Sequence, residues 1–247
     1  MALAGRMAYR GDFIISTTMM FIVEFIVPLV TYLVYKSGAS FPGWSLYEVL
    51  LIQGVFLLAK GIASPTFFGM IFNTLGRVRE GTFDLLLIKP RSTLFMLIVT
   101  AFDSEDLGKL AGGIILFTIS LAHLPPPSWW QWLQFLLLLV LSLVVLFSFS
   151  LLMSGSVFKW VGNSRVYEIF DSVTSFGLYP ISIFSKALQT IITWVIPITL
   201  IGSYPAAVLL GKPSGGVVGA CVASIIFLSV SLSFWRFMLK SYTSAGG

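Results

Sequence analysis

The polar run Gly76–Arg91 stands between long apolar segments and cannot share their surroundings. It holds Arg77, Arg79, Glu80, Asp84, Lys89 and Arg91, whereas only 10% of the whole chain is charged. An ionised side chain left in hydrocarbon is expensive, so this run must form a loop on one membrane face. Its basic excess makes that face the cytoplasm. Gly81 gives the backbone freedom to turn, Thr82 is a candidate N-cap, and Asp84 stands near the positive end of the helix that follows. Leu85, Leu86 and Ile88 give that short helix an apolar side, and Pro90 stops it. An amphipathic helix flanked by charge suits docking to a soluble partner. An ordinary positive-inside loop would carry the same charge.

The rest of the chain agrees with a membrane setting. Of 247 residues, 57% are hydrophobic, and the mean hydropathy is +0.96. A soluble domain carries about 25% charged residues. The net charge of +5 belongs to inner-face loops and anionic lipid and is no argument for nucleic acid. Cys221 is alone, so no disulfide framework forms within one chain. His123 is the single histidine, which removes most histidine-based metal and acid–base schemes. Gly108-Lys109 is followed by Leu110, and Gly211-Lys212 by Pro213, so neither is a phosphate-binding loop of the Walker type. The first apolar stretch follows Arg6 and Arg10 but is too long for a signal-peptide core, and is read as a retained span.

The expected fold is all-α and integral to the membrane, a single transmembrane domain over residues 1–247 with six spans. At about 20 residues per crossing, these run over 13–35, 46–72, 107–124, 132–157, 166–185 and 217–239. The polar loop, which the resemblance below reads as a coupling loop, occupies 73–92. Span one carries Glu24 and a kink at Pro28, and span two carries Lys60 and a break at Ser64-Pro65. Residues 92–102 are apolar but too short to cross. Pro125-Pro126-Pro127 with Trp129 and Trp130 marks the outer interface. Residues 187–211, interrupted by Pro197, Gly202 and Pro205, give two pieces too short to span and are read as a re-entrant or outer hairpin. The basic residues agree. Arg77, Arg79, Lys89, Arg91, Lys159, Arg165, Arg236 and Lys240, with Arg6 and Arg10, fall inside, and only Lys36, Lys186 and Lys212 fall outside, with both termini cytoplasmic.

Glu24 and Lys60 stand out as intramembrane charges. They are either a buried ion pair, with the lysine able to snorkel, or a polar wall of a substrate path. Asp103, Glu105 and Asp106 fit the capping of a helix start better than a metal site. No nucleophile–base pair, carboxylate constellation or metal-ligating set gathers at one depth, so neither a catalytic nor a metal centre is expected.

Three features resemble the permease subunits of type-2 ATP-binding-cassette exporters. Arg79-Glu80-Gly81-Thr82-Phe83-Asp84 with Pro90 is similar to that class's coupling helix after span two, although Arg77-Val78-Arg79-Glu80 is more basic than usual there. Tyr179-Pro180, Pro197 and Pro205 precede the last span, where the class has short outer-leaflet helices. Tyr9-Arg10-Gly11-Asp12 and the closing Ser241–Gly247 look like a bacterial subfamily whose permeases are encoded in pairs with one ATPase. The resemblance implies a non-catalytic subunit of the bacterial plasma (inner) membrane, paired with a second and preferably unlike permease. It also implies an ATP-binding-cassette ATPase partner that holds ATP and magnesium, with no cofactor in this chain. Arg77, Arg79, Glu80, Gly81, Thr82, Asp84 and Pro90 would serve the ATPase contact. The rivals are an ATP-independent channel or secondary carrier, a membrane-embedded enzyme, and a scaffold or sensor permease.

Overall fold

The computed structural model describes residues 10–100, 102, 107–160, 166–212 and 215–243. The described residues are helical, without strands. In chain order the α-helices are α1 (Arg10–Glu24), α2 (Ile26–Lys36), α3 (Leu46–Ala63), α4 (Gly69–Arg79), α5 (Asp84–Leu87) and α6 (Thr93–Thr100). They continue with α7 (Leu107–Ala122), α8 (Trp129–Val157), α9 (Val166–Thr174), α10 (Lys186–Thr190), α11 (Ser203–Leu209) and α12 (Val217–Lys240). Four helical stretches are long and apolar enough to cross a membrane: Ile14–Lys36, Leu46–Arg79, Trp129–Val157 and Val217–Lys240. α7 is apolar but shorter, at 16 residues. The chain is a multi-pass membrane protein.

Proline chemistry explains how two of these helices bend. The first breaks at Phe25, one turn before the expected kink residue Pro28. Pro28 has no N–H to give to the Glu24 carbonyl, so the ladder fails on its N-terminal side. Phe25 N–H instead donates three residues back, to Ile22 O at 3.1 Å. The second helix was expected to break at Ser64-Pro65, but it stays continuous. It widens into a π-helical turn over Ser64–Phe68 and carries on as α4. A wider turn absorbs the missing proline donor without ending the helix. From Leu46 to Arg79 it is 34 residues, about 51 Å at 1.5 Å per residue, so it outruns the hydrocarbon core.

Close helix packing builds the centre. In a bilayer, lipid tails are as apolar as leucine, so helices associate where small residues let their backbones approach. α3 and α7 do this with three glycines. A Cβ on Gly54 would lie 2.8 Å from the Phe117 backbone nitrogen, one on Gly61 2.5 Å from Leu110 Cα, and one on Gly113 2.7 Å from the Leu58 nitrogen.

The chain after α9 departs most from expectation. Within the span expected over 166–185, α9 runs on through a 3₁₀ turn, Ser175–Leu178, and ends before Pro180. Residues 186–209 then form two helical limbs. The first is α10 and a π-helical turn, Ile191–Val195; the second is a 3₁₀ turn, Ile198–Leu200, and α11. Leu200, Ile201, Tyr204 and Ala206 are buried, in clusters that include Phe56 and Ile52 of α3 and Phe135 and Val145 of α8. The second limb is therefore a packed part of the bundle.

Candidate functional site

Two places concentrate chemistry: the loop after α4 and a charged cavity inside the bundle. Helix α4 continues to Arg79, so Arg77 and Arg79 lie in its last turn, before the loop begins. The turn that follows is a Schellman motif. Gly81 N–H donates to Val78 O at 3.3 Å and Thr82 N–H to Arg77 O at 2.9 Å, with Gly81 at φ +66°. Gly81 is thus the left-handed residue that ends α4. Thr82 does not cap α5: Phe83 occupies the cap position, with helical backbone angles and no side-chain bond.

Phe83 anchors this loop. It is 0% exposed, and its ring meets Phe158 at the end of α8 (4.9 Å between centroids) and Tyr242 after α12 (5.1 Å). Phe158 and Tyr242 meet each other edge-on at 5.7 Å. One aromatic trio therefore joins the ends of α4, α8 and α12. Leu86 is buried beside it. Leu85 and Ile88 face the other way, 55% and 79% exposed, with Leu87 also exposed. The expected apolar side is split: Leu86 turns inward, while Leu85 and Ile88 form an outward knob. Arg79, Glu80, Lys89, Pro90 and Arg91 are exposed around it, and Arg77 and Asp84 are half-buried. An exposed apolar patch rimmed by charge has the form of a protein-docking surface.

The second place is a cavity of about 380 Å³ whose walls include Glu24 of α1, Lys60 of α3, Lys109 of α7 and Asp171 of α9. Lys60 takes Asp171 as a partner. Its ammonium donates to the Asp171 carboxylate in a short ion pair and lies 5.3 Å from the centre of the Phe56 ring. Lys60 sits 14 residues beyond Leu46, about 21 Å along the helix axis and so deep within a bilayer. Glu24 borders the same cavity. Asp171 and Lys109 escaped the sequence reading although both fall inside its spans. Both are ionisable residues inside apolar runs, the same signal that marks Glu24.

Removing Lys60 leaves the half-exposed Asp171 carboxylate without this ammonium at the cavity wall. Lys60→Leu is expected to cost about 1–2 kcal/mol of stability, less than a fully buried pair because Asp171 is half-exposed. The double variant Lys60→Leu/Asp171→Leu is expected to regain most of that loss. Denaturant unfolding in a maltoside detergent checks both, and equal destabilisation of the two variants would show that the pair contributes no coupling.

At the opposite end of the bundle, Lys212 donates to Glu48 Oε2 at 2.9 Å and to Gly43 O at 3.0 Å, with its ammonium 4.0 Å from the Trp44 ring centre. The Ser45 N–H also donates to Glu48 Oε2, at 2.8 Å. That oxygen therefore ties the start of α3 to the chain leading into α12. His123 stacks on Tyr47 with centroids 4.1 Å apart. Asp103, Glu105, Asp106, Arg6 and Arg165 lie outside the described residues.

The family described as ABC-2 family transporter protein matches residues 14–246, nearly the whole chain. No curated protein and no solved structure matches it. A match of that extent, on a multi-pass helical bundle, settles the affiliation: the chain belongs to the ABC-2 family of transporter proteins.

Proposed function

We propose that this chain is the membrane-spanning permease subunit of an ATP-driven exporter and couples to a separate ATP-binding-cassette ATPase through the loop around α5. The observation that carries this reading is the outward Leu85–Ile88 knob, held by Phe83 against the ends of α4, α8 and α12. A load applied to that knob reaches three helices at once. ATP, with magnesium, is bound and hydrolysed in the partner, and this chain supplies the path. Closure of the ATPases shifts the inward–outward equilibrium only if they contact the two states differently. Arg77, Arg79, Glu80 and Asp84, with Gly81, Thr82 and Pro90 shaping the loop, supply that contact.

The six-span arrangement, with both termini in the cytoplasm of a bacterium and 187–211 entering from the outer face, fits this role. It places the α5 loop and the basic residues Arg236 and Lys240 on one side. A second permease completes the path, an unlike chain in preference to a copy. α9 favours such a neighbour, because Glu168 and Ser172 are exposed and the Asp171 side chain is 49% exposed. Carboxylates at this depth do not face lipid. The charged cavity, with Glu24 and Lys60, belongs to the substrate path.

Purification from native membranes in mild detergent tests the coupling. A stoichiometric ATPase with a Walker motif is expected, together with a second permease, and the ATPase is expected to be lost from Glu80→Lys/Asp84→Lys. A single species without an ATPase, under conditions that preserve known complexes, would overturn the proposal. Transport that persists without any ATPase would favour a carrier working through the charged cavity.

A further inference from the structure

The charged cavity has a composition that selects among substrates. Its walls hold two cations, Lys60 and Lys109, and two carboxylates, Glu24 and Asp171, so its formal charge is balanced. The remaining lining is largely apolar, with Met20, Val23, Phe56 and Leu178 among it. Lys60 and Lys109 are both buried. In such surroundings an unpaired charge is costly, and a charged group is admitted only if its partner comes with it. A ligand with one net charge would leave one of the four groups uncompensated. A ligand carrying one positive and one negative group exchanges with the Lys60–Asp171 pair one for one and leaves the balance intact.

The shape adds the rest of the ligand. The cavity volume of about 380 Å³ is that of a polar headgroup, too small for a whole lipid. Its wall is continuous with the outer surface of α1, where Val23 lines the cavity and is itself 53% exposed. Ile22 and Ile26 beside it are exposed as well. A headgroup can therefore enter while its chains remain along the apolar face of α1.

We propose that the cavity binds the headgroup of a zwitterionic, lipid-like amphiphile, which enters from the α1 side and displaces the Lys60–Asp171 pair. This assignment rests on the reading of the cavity as the substrate path. Binding is measured on the complex purified in an uncharged maltoside, so that no detergent headgroup competes. The probes share their chains: dioctanoyl phosphatidylethanolamine, dioctanoyl phosphatidylglycerol and dioctanoyl trimethylammonium propane. The zwitterion is expected to bind at least about ten-fold more tightly than either singly charged probe, the worth of one charge-assisted contact. Asp171→Asn leaves the site one unit positive and is expected to move the preference to phosphatidylglycerol. Lys60→Gln leaves it one unit negative and is expected to move the preference to the cationic probe. The double variant Lys60→Gln/Asp171→Asn restores balance and the original order.

A merely structural ion pair would weaken all probes alike and would not exchange their order. Equal affinity for the three probes, or an order unchanged in the single variants, overturns the proposal. So does phosphoethanolamine binding as tightly as the lipid, since the chains would then contribute nothing. The outcome is separable from the coupling test. Loss of selectivity with an ATPase still bound sinks only the ligand assignment, and absence of an ATPase sinks the exporter while leaving probe selectivity measurable.

Discussion

Gly61→Leu is expected to prevent this bundle from closing. A Cβ at Gly61 would stand 2.5 Å from Leu110 Cα and 2.6 Å from its nitrogen. Both are backbone atoms of α7, which no side-chain rearrangement can move aside. The strain has two outlets, and each is costly. Either α3 and α7 part along their length, with Gly54 and Gly113 losing their contacts as well, or α7 shifts and takes Lys109 out of the charged cavity. Overpacking of a flexible core site costs about 1–3 kcal/mol, and a backbone clash belongs above that range, at about 4 kcal/mol or more. A membrane protein that loses this much is expected to leave the monodisperse peak in detergent size-exclusion chromatography. The matched control is Gly76→Ala on α4 of the same long helix, where a Cβ would meet nothing within 4 Å. Alanine there is expected to be neutral or stabilising by up to about 1 kcal/mol, the helix-propensity difference. If Gly61→Leu runs as cleanly as Gly76→Ala, the glycine contacts do not govern the packing.

The sequence shows the membrane-crossing helices because bilayer thickness demands long apolar runs, and those survive any tertiary detail. Leu46–Arg79, Trp129–Val157 and Val217–Lys240 all cover their expected spans. The details that failed depend on where backbone donors find acceptors. Pro28 and Pro65 are both prolines inside helices, yet one follows a true interruption at Phe25 and the other only widens a turn. The difference comes from packing. Both prolines are buried, but Pro65 stands among buried Ala63, Ser64 and Phe68, whereas Ile26, Leu29 and Val30 around Pro28 are exposed. The helix expected over 166–185 is shorter than its apolar run, because Tyr179-Pro180 ends it after Leu178.

The charged sites were half legible. A polar run among apolar spans marks a loop from composition alone, and Gly81 marks its turn. What composition cannot give is which leucine faces inward. Phe83 and Leu86 are buried because Phe158 and Tyr242 lie across from them, and those residues are far away in the chain. Glu24 and Lys60 were visible as charges in spans. The partner of Lys60 is Asp171, 111 residues further on, and pairing over that distance is decided by how the helices pack.

Leu85→Asp/Ile88→Asp is expected to release the ATPase while leaving the permease folded. Both side chains point away from the bundle, and exposed substitutions of this kind usually move stability by no more than about 0.5 kcal/mol. In the proposed docked complex the same positions would serve as apolar anchors. Replacing two of them with carboxylates is expected to cost about 3–4 kcal/mol of binding, more than two orders of magnitude in Kd. Association of the variant with the ATPase, measured in detergent, reads this directly, and undiminished association would place the docking surface elsewhere. Phe83→Ala separates docking from transmission. It keeps the outward knob but removes the ring that ties α5 to Phe158 and Tyr242, at the roughly 3–5 kcal/mol expected for a buried phenylalanine. The ATPase is expected to remain bound to this variant and to hydrolyse ATP at its basal rate without stimulation by substrate. A knob that docks without its anchor would move freely, and the motion of the ATPases would end in the loop.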